Sequence, residues 1–215
     1  MDKNVKAVLL GACGVGKTSL LAKKNEKDIN LLNSTVSPLP STSHIEDCSF
    51  NTKKLGFQIW DTPGQDKFHA VTDNVIRGSQ VVYILTTCGP KDENNPEISE
   101  CDEDLELYLK RSKEILGRDK YVIIILINKC DLIDQSEYDE RKKQVLEIAR
   151  NVYPEFDKDY IYFTSCKSGE NCDFVLRKGF EEGYYIKESN NTQTISISEQ
   201  PEQQDKPKPK FKFSC

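Results

Sequence analysis

Three short segments carry residue types and spacings suited to phosphate and base chemistry, and a fourth follows them in the same order. The first, Gly11-Ala12-Cys13-Gly14-Val15-Gly16-Lys17-Thr18, fits GxxxxGK[ST] between the apolar run Val5–Leu10 and a helical pattern. Glycines let a backbone wrap closely round phosphate oxygens, and a helix N-terminus favours their charge. Cys13, Gly14, Val15, Gly16 and Ser19 are therefore candidate phosphate-loop contacts. Lys17 can reach the β and γ phosphates, and the Thr18 hydroxyl can ligate Mg²⁺. The plainer reading is a glycine turn that binds nothing, but the strand and helix on either side argue against it.

The second segment, Trp60-Asp61-Thr62-Pro63-Gly64-Gln65, follows another apolar run. An aspartate at a strand end suits the Mg²⁺ shell of a nucleoside triphosphatase, so Asp61 joins Thr18 as a metal candidate. Gly64 can present its N–H to a γ-phosphate, and Gln65 can orient an attacking water as the candidate catalytic residue. Taken by itself, this segment is only a proline-containing turn.

The third segment is Asn128-Lys129-Cys130-Asp131. An ionised aspartate accepts two hydrogen bonds, which matches the N1–H and amino donors of guanine. Adenine has no amino group there and would leave the carboxylate unpaired. A site built around such a hydrogen bond rejects analogues lacking it by roughly 10⁴ in favourable cases. Asn128 can bridge base and phosphate loop, and Lys129 can lie along the ring. The fourth segment, Thr164-Ser165-Cys166-Lys167, offers N–H groups at Ser165 and Cys166 for guanine O6, and the Lys167 stem to cover the base.

Those residues must be held by elements, and the chain is long enough to supply them. It has 215 residues, 37% hydrophobic and 30% charged, with a net charge of −5. Such a length suits one domain with an extension. The acidic balance argues against broad nucleic-acid binding, which needs a basic face. No apolar run reaches the length of a membrane span, and the start of the chain does not read as a secretory signal. Eight cysteines are present, with no CxxC pair and only His44 and His69 to complete a metal set. Reduced thiols in a cytoplasmic protein are expected rather than disulfides or structural zinc.

Apolar strand-like runs at 5–10, 55–60, 81–85, 121–127 and 161–163 alternate with helical patterns at about 17–25, 101–116, 137–151 and 171–186. Strand and helix in repeated alternation predict an α/β domain with a mostly parallel sheet and helices on both faces. Residues 45–50 are expected to pair antiparallel with 55–60 as an edge hairpin. Ser34–Ser43, with two prolines and no periodicity, reads as a mobile loop. Residues 91–106 hold eight acids against one lysine and read as an acidic, solvated loop entering a helix. Residues 1–187 form the predicted domain. From Glu188 the chain turns polar and proline-rich, which predicts a disordered tail ending KPKPKFKFSC.

The set GACGVGKT, WDTPGQ, NKCD and TSCK, in that order, resembles a small GTPase of the Ras superfamily. The stretch KLGFQIWDTPGQDKF is similar to the Rab stretch around WDTAGQERF; Arg77-Gly78 and TSCKSGEN also match, so the resemblance spans about residues 4–187. It implies a P-loop G domain with six strands, one of them antiparallel. It also implies a GTP/GDP switch in vesicle traffic with Mg²⁺ as cofactor. Thr35 corresponds to the switch I threonine that binds Mg²⁺ and senses the γ-phosphate, and switch II runs from Gly64 to about Arg77. Exchange factors, GTPase-activating proteins and effectors would read these loops, which release on loss of the γ-phosphate.

The chain departs from the family in several places. Cys13 replaces a small residue, Pro63 replaces an alanine, and VSPLPS after Thr35 is unlike the usual Rab segment. The loop before Thr35 is short and Ile29 stands where an aromatic often stacks on guanine, which implies weaker nucleotide binding. Rabs usually end in two prenylatable cysteines, whereas here Cys215 stands alone after Lys206, Lys208, Lys210 and Lys212. One lipid with a basic patch can anchor a chain to the cytosolic face of a membrane; the alternative is an unmodified tail. Two functions stay open: a slow GTP-hydrolysing switch, favoured by Gln65, and a GTP-binding adaptor with little hydrolysis, permitted by Cys13 and Pro63. An ATP-dependent kinase has no use for NKCD.

Overall fold

Aliphatic runs with no polar face to offer water must lie inside a sheet covered on both sides. In the computed structural model, residues 4–24, 41–50, 53–63, 69–88 and 101–195 are described. The elements are β1 (Val5–Leu10), α1 (Lys17–Lys24), β2 (Ser41–Phe50), β3 (Lys53–Asp61) and α2 (His69–Ile76), followed by β4 (Val81–Thr87), α3 (Cys101–Leu116), β5 (Val122–Asn128), α4 (Tyr138–Val152), β6 (Ile161–Phe163) and α5 (Cys172–Ile195). Every residue of β4 and β5 is buried.

The six strands form one sheet in the order β2-β3-β1-β4-β5-β6. All neighbours are parallel except β2 and β3. Alternation along each strand sorts the core into two layers. Ala7, Leu9, Ile59, Tyr83 and Leu126 pack with Leu20 of α1 and Phe180 of α5. Val8, Leu10, Ile84, Ile125 and Ile127 pack on the other face with Ile76 of α2, Leu109 of α3 and Val145 of α4. The sheet therefore delivers the C-terminal ends of β1, β3, β5 and β6 to one edge, where open α/β sheets bind ligands.

The expected helices at 17–25, 101–116 and 137–151 are present to within a residue at their ends. Three differences have local causes. Residues 41–43, expected in a mobile loop, belong to β2 and pair with Ile59–Asp61; partner pairing overrides the weak strand propensity of serine and threonine. The remainder of that expected loop, 34–40, lies outside the described residues. Helix α2 was not anticipated, because its eight residues are too few to show a clear period. The last helix, expected to end near 186, continues to Ile195, past the expected boundary at 187. A helix already nucleated on the sheet extends at little cost through polar residues.

Two glycines let α5 lie close to the sheet. A Cβ on Gly179 would sit 1.8 Å from the Tyr83 hydroxyl, and one on Gly183 would sit 2.4 Å from Val5 Cγ1. Tyr83, fully buried, donates to the carbonyl of Val175 at 3.0 Å, so it has no free path away from the helix. Gly179→Ala gains about 1 kcal/mol of helix propensity. It loses more through overpacking and a displaced buried hydroxyl, each costing about 1–3 kcal/mol. A net destabilisation of about 2 kcal/mol is expected in urea unfolding; an unchanged midpoint would mean that α5 does not pack this closely.

Candidate nucleotide-binding site

The phosphate-loop candidates run from the end of β1 into α1. Gly11, Gly14 and Gly16 adopt φ of 140°, 76° and 102°. Gly11 and Gly16 also have no room for a side chain: a Cβ would fall 2.4 Å from the Leu85 carbonyl oxygen at Gly11 and 2.2 Å from Asn128 Nδ2 at Gly16. Val15 is fully buried, Gly14 is exposed and Cys13 is partly exposed. Ser19 lies in the first turn of α1, next to Thr18. The Lys17 ammonium donates to the carbonyls of Gly11 at 2.6 Å and Ala12 at 2.7 Å. It is thereby held over the loop, where phosphate oxygens can compete for the same donors.

Thr18 and Asp61, widely separated in sequence, meet at the head of this loop. The Thr18 hydroxyl donates to Asp61 Oδ2 at 2.6 Å. Asp61 ends β3, and the adjacent Thr62 hydroxyl donates to the Leu9 carbonyl at 2.6 Å, tying that end to β1. Burial pushes the Asp61 carboxyl up; the Thr18 hydroxyl, the Lys17 charge and the Thr62 N–H oppose the shift. Asp61 Oδ1 is buried and has no hydrogen-bond partner among the described residues. An unpaired carboxylate oxygen beside a hydroxyl is a hard-oxygen set, and it fits Mg²⁺. Pro63 is buried immediately beyond. Gly64, Gln65 and Thr35 lie outside the described residues, as does Cys215.

The base-recognition candidates converge from β5 and β6. Asn128 is buried; its Nδ2 donates to the Val15 carbonyl at 2.8 Å. Its Oδ1 accepts from the Thr164 hydroxyl at 3.2 Å and the Cys166 N–H at 3.3 Å. One amide at the end of β5 thus fastens the candidate phosphate loop at Val15 to the turn after β6 at Thr164 and Cys166. Lys129 takes a left-handed conformation, φ 62°, which turns the chain sharply after β5. Asp131 Oδ1 accepts from the Ser165 hydroxyl at 2.5 Å, and Lys167 Nζ stands 3.7 Å from Oδ2. The Ser165 hydroxyl also accepts from the Ser168 N–H at 3.2 Å, so the carboxylate is braced from a second turn.

The structure adds residues that sequence reasoning did not assign. Thr164 orients Asn128 and the Ser165 hydroxyl orients Asp131. The N–H groups expected to meet guanine O6 are instead bonded within the protein, that of Ser165 to the Glu170 carbonyl at 3.1 Å and that of Cys166 to Asn128. Arg141 of α4 donates to the Thr87 carbonyl at 2.9 Å and pairs with both oxygens of Asp102 on α3, at 2.6 and 2.8 Å. Thr87 pairs in register with Asn128, and the Cys88 N–H donates to the Asn128 carbonyl at 2.9 Å. Arg141 therefore fixes the strand end beside Asn128. A polar residue at the end of a buried strand was the available signal for Thr164; Arg141 had none.

The sequence profile of the Ras family matches residues 6–182. The chain is 29% identical over 202 residues to Ras-related protein Rab-11B of Dictyostelium discoideum, covering 92% of this chain and 81% of that protein. It is 30% identical over 177 residues to Ras-related protein Rab-13 of Canis lupus familiaris, covering 80% and 76%. With Ras-related protein Rab-21 of Geodia cydonium the identity is 32% over 173 residues, covering 77% and 64%. The fold, the converging site and these matches agree: the chain belongs to the Ras family, as a divergent Rab-related small GTPase of the kind that acts as a switch in membrane traffic.

Proposed function

We propose that this chain binds GTP and GDP with Mg²⁺, hydrolyses GTP slowly, and presents its nucleotide state to regulators and effectors through the segments around Thr35 and Gly64–Arg77. The observation that carries the reading is the Asn128 amide, which ties the phosphate loop to the turns that hold Asp131. That linkage suits one ligand with a base at one end and phosphates at the other. Asp131, held by Ser165, would accept from the guanine donors. Lys129 and Lys167 would cover the ring. Lys17 would neutralise phosphate charge, with Gly14, Val15, Gly16 and Ser19 lining the phosphate path.

Thr18 and Asp61, joined by Thr35, would hold Mg²⁺, which supplies positive charge to the phosphate oxygens when bound. Gln65 would orient the attacking water and Gly64 would meet the γ-phosphate. Attachment to a membrane through a lipid on Cys215, helped by the lysines before it, belongs to the same proposal. No helix of the described residues is long and apolar enough to cross a membrane.

A second reading, an adaptor that holds GTP with little hydrolysis, draws on Cys13 and Pro63. Cys13 stands partly exposed on the phosphate loop, and the buried Pro63 stiffens the chain that enters Gly64 and Gln65. Single-turnover hydrolysis separates the two. The isolated protein is expected to hydrolyse GTP slowly, because no arginine among the described residues bonds to the phosphate loop, Thr18 or Asp61; a partner's arginine adds roughly 10³–10⁵ in rate. Gln65→Leu is expected to lower the residual rate by about 10²-fold, the cost of a mispositioned reactant. Cys13→Gly is expected to raise the rate with a matching activator. No turnover even with an activator would favour the adaptor, and turnover indifferent to Gln65→Leu would assign the water to another group.

A further inference from the structure

One peptide group links α4 to the end of β5. It joins Thr87, the last residue of β4, to Cys88. Its carbonyl oxygen accepts twice from Arg141 of α4, from Nη2 at 2.9 Å and from Nε at 3.2 Å. Its N–H, on Cys88, donates to the Asn128 carbonyl at 2.9 Å. Thr87 is 3% exposed, so water is a poor substitute for the guanidinium at that carbonyl. Arg141 is steered in turn by Asp102 of α3, whose two oxygens accept from Nη1 at 2.8 Å and Nη2 at 2.6 Å. The Thr86 hydroxyl, also buried, donates to Asp102 Oδ1 at 3.2 Å. A planar guanidinium presents enough donors to hold a carboxylate and a carbonyl together, whereas a lysine ammonium is a point charge without that fork.

We propose that Arg141 is a positioning residue for the guanine nucleotide and acts on Asn128 through this peptide group. The effect on the ligand rests on the nucleotide reading above; the coupling of Arg141 to Asn128 does not. A cation at the carbonyl oxygen draws electron density from the amide, so the N–H at its other end donates more strongly. The backbone of Asn128 is thereby held from β4, while its side chain serves the candidate site. That side chain donates to the Val15 carbonyl at 2.8 Å and accepts from the Thr164 hydroxyl and the Cys166 N–H. Where the backbone of Asn128 sits decides whether all three bonds can be made at once.

Truncating Arg141 leaves the Thr87 carbonyl buried without that donor, and Asp102 without its counter-charge. The bond from Cys88 to Asn128 weakens, and Asn128 gains freedom beside the phosphate loop. Nucleotide release then quickens by about tenfold, the equivalent of roughly one hydrogen bond. Asp102→Asn is a different case. It removes the charge from the α3 partner but keeps an acceptor for Arg141, which stays beside Thr87. Asp102 is also exposed enough for water to screen its charge. Release from that variant changes by less than about threefold, the low end for a hydrogen bond. The contrast separates an action on the Thr87 peptide from the general worth of an ion pair between α3 and α4.

The test uses the full chain loaded with a fluorescent GDP analogue and chased with excess unlabelled GDP. Release is timed for the parent, Arg141→Ala and Asp102→Asn, with Arg141→Lys as a second variant in case alanine impairs folding. Lysine keeps the charge beside Asp102 but lacks the fork, so it too is expected to speed release. The Cys88 amide proton is followed by NMR in isotope-labelled protein. Removing the guanidinium is expected to shift this proton upfield, a signature that lower stability of the fold as a whole does not give. Asp102→Asn is expected to leave it in place. Unchanged release from both Arg141 variants, release quickened equally by Asp102→Asn, or an unmoved Cys88 proton in the Arg141 variants would each overturn the proposal. The proton can be read without nucleotide, so a chain that bound no analogue would overturn the nucleotide reading and the effect on release, while the coupling to Asn128 would still be decided.

Discussion

Gly16→Ala is expected to cost the chain roughly 10²–10³-fold in guanine nucleotide affinity while leaving it folded. Gly16 has φ 102°, a conformation that costs a residue with a Cβ about 1–3 kcal/mol. The added methyl would also fall 2.2 Å from Asn128 Nδ2, the donor that binds the Val15 carbonyl. Displacing it leaves a buried amide unpaired, at about 1–3 kcal/mol. Together the two costs span about 2–6 kcal/mol, and a middle value of about 4 kcal/mol corresponds, at 1.4 kcal/mol per tenfold, to the upper end of the expected loss. Nucleotide retained through purification, together with calorimetric titration of GDP, measures it. Gly14→Ala is the control: its φ of 76° carries strain, but a Cβ there meets nothing within 4 Å. Equal losses at the two positions would show that backbone strain, and not the Asn128 contact, governs the loop.

The second large effect is expected at Asp131. Asp131→Asn should lower GTP affinity by up to roughly 10⁴-fold, the range for a site that hydrogen-bonds a specific substrate group. Preference should move towards xanthosine nucleotides, whose C2 oxygen accepts from an amide. The Ser165 hydroxyl can still donate to the retained oxygen of asparagine, so the turn should survive and the change should appear in base selectivity rather than in stability. Competition between GTP, ATP and XTP for the parent and the variant reads this directly. Equal affinity of the parent for GTP and ATP would remove the guanine assignment altogether.

What the sequence made legible was set by range of interaction. Strands such as Val122–Asn128 declare themselves because burial on both faces demands an unbroken apolar run. The phosphate loop and the Asn128–Asp131 turn were legible because their chemistry lies in contiguous residues. Pairings across long separations were not. Thr18 with Asp61, Ser165 as a brace for Asp131, and Arg141 with Asp102 and Thr87 arise only when the sheet brings distant loops together. The same holds for Ser41–Ser43, whose strand conformation comes from its partners at Ile59–Asp61 rather than from its own side chains.

The Arg141 clamp also bears on how freely this chain can vary in length. One guanidinium holds both Thr87, where β4 ends, and Asp102, just inside α3, so the two ends of the intervening segment are fixed independently of what lies between them. For a segment with pinned ends, each doubling of length adds only about 0.6 kcal/mol of closure entropy. A change in the length of the acidic segment between Thr87 and Asp102 is therefore expected to cost the sheet little.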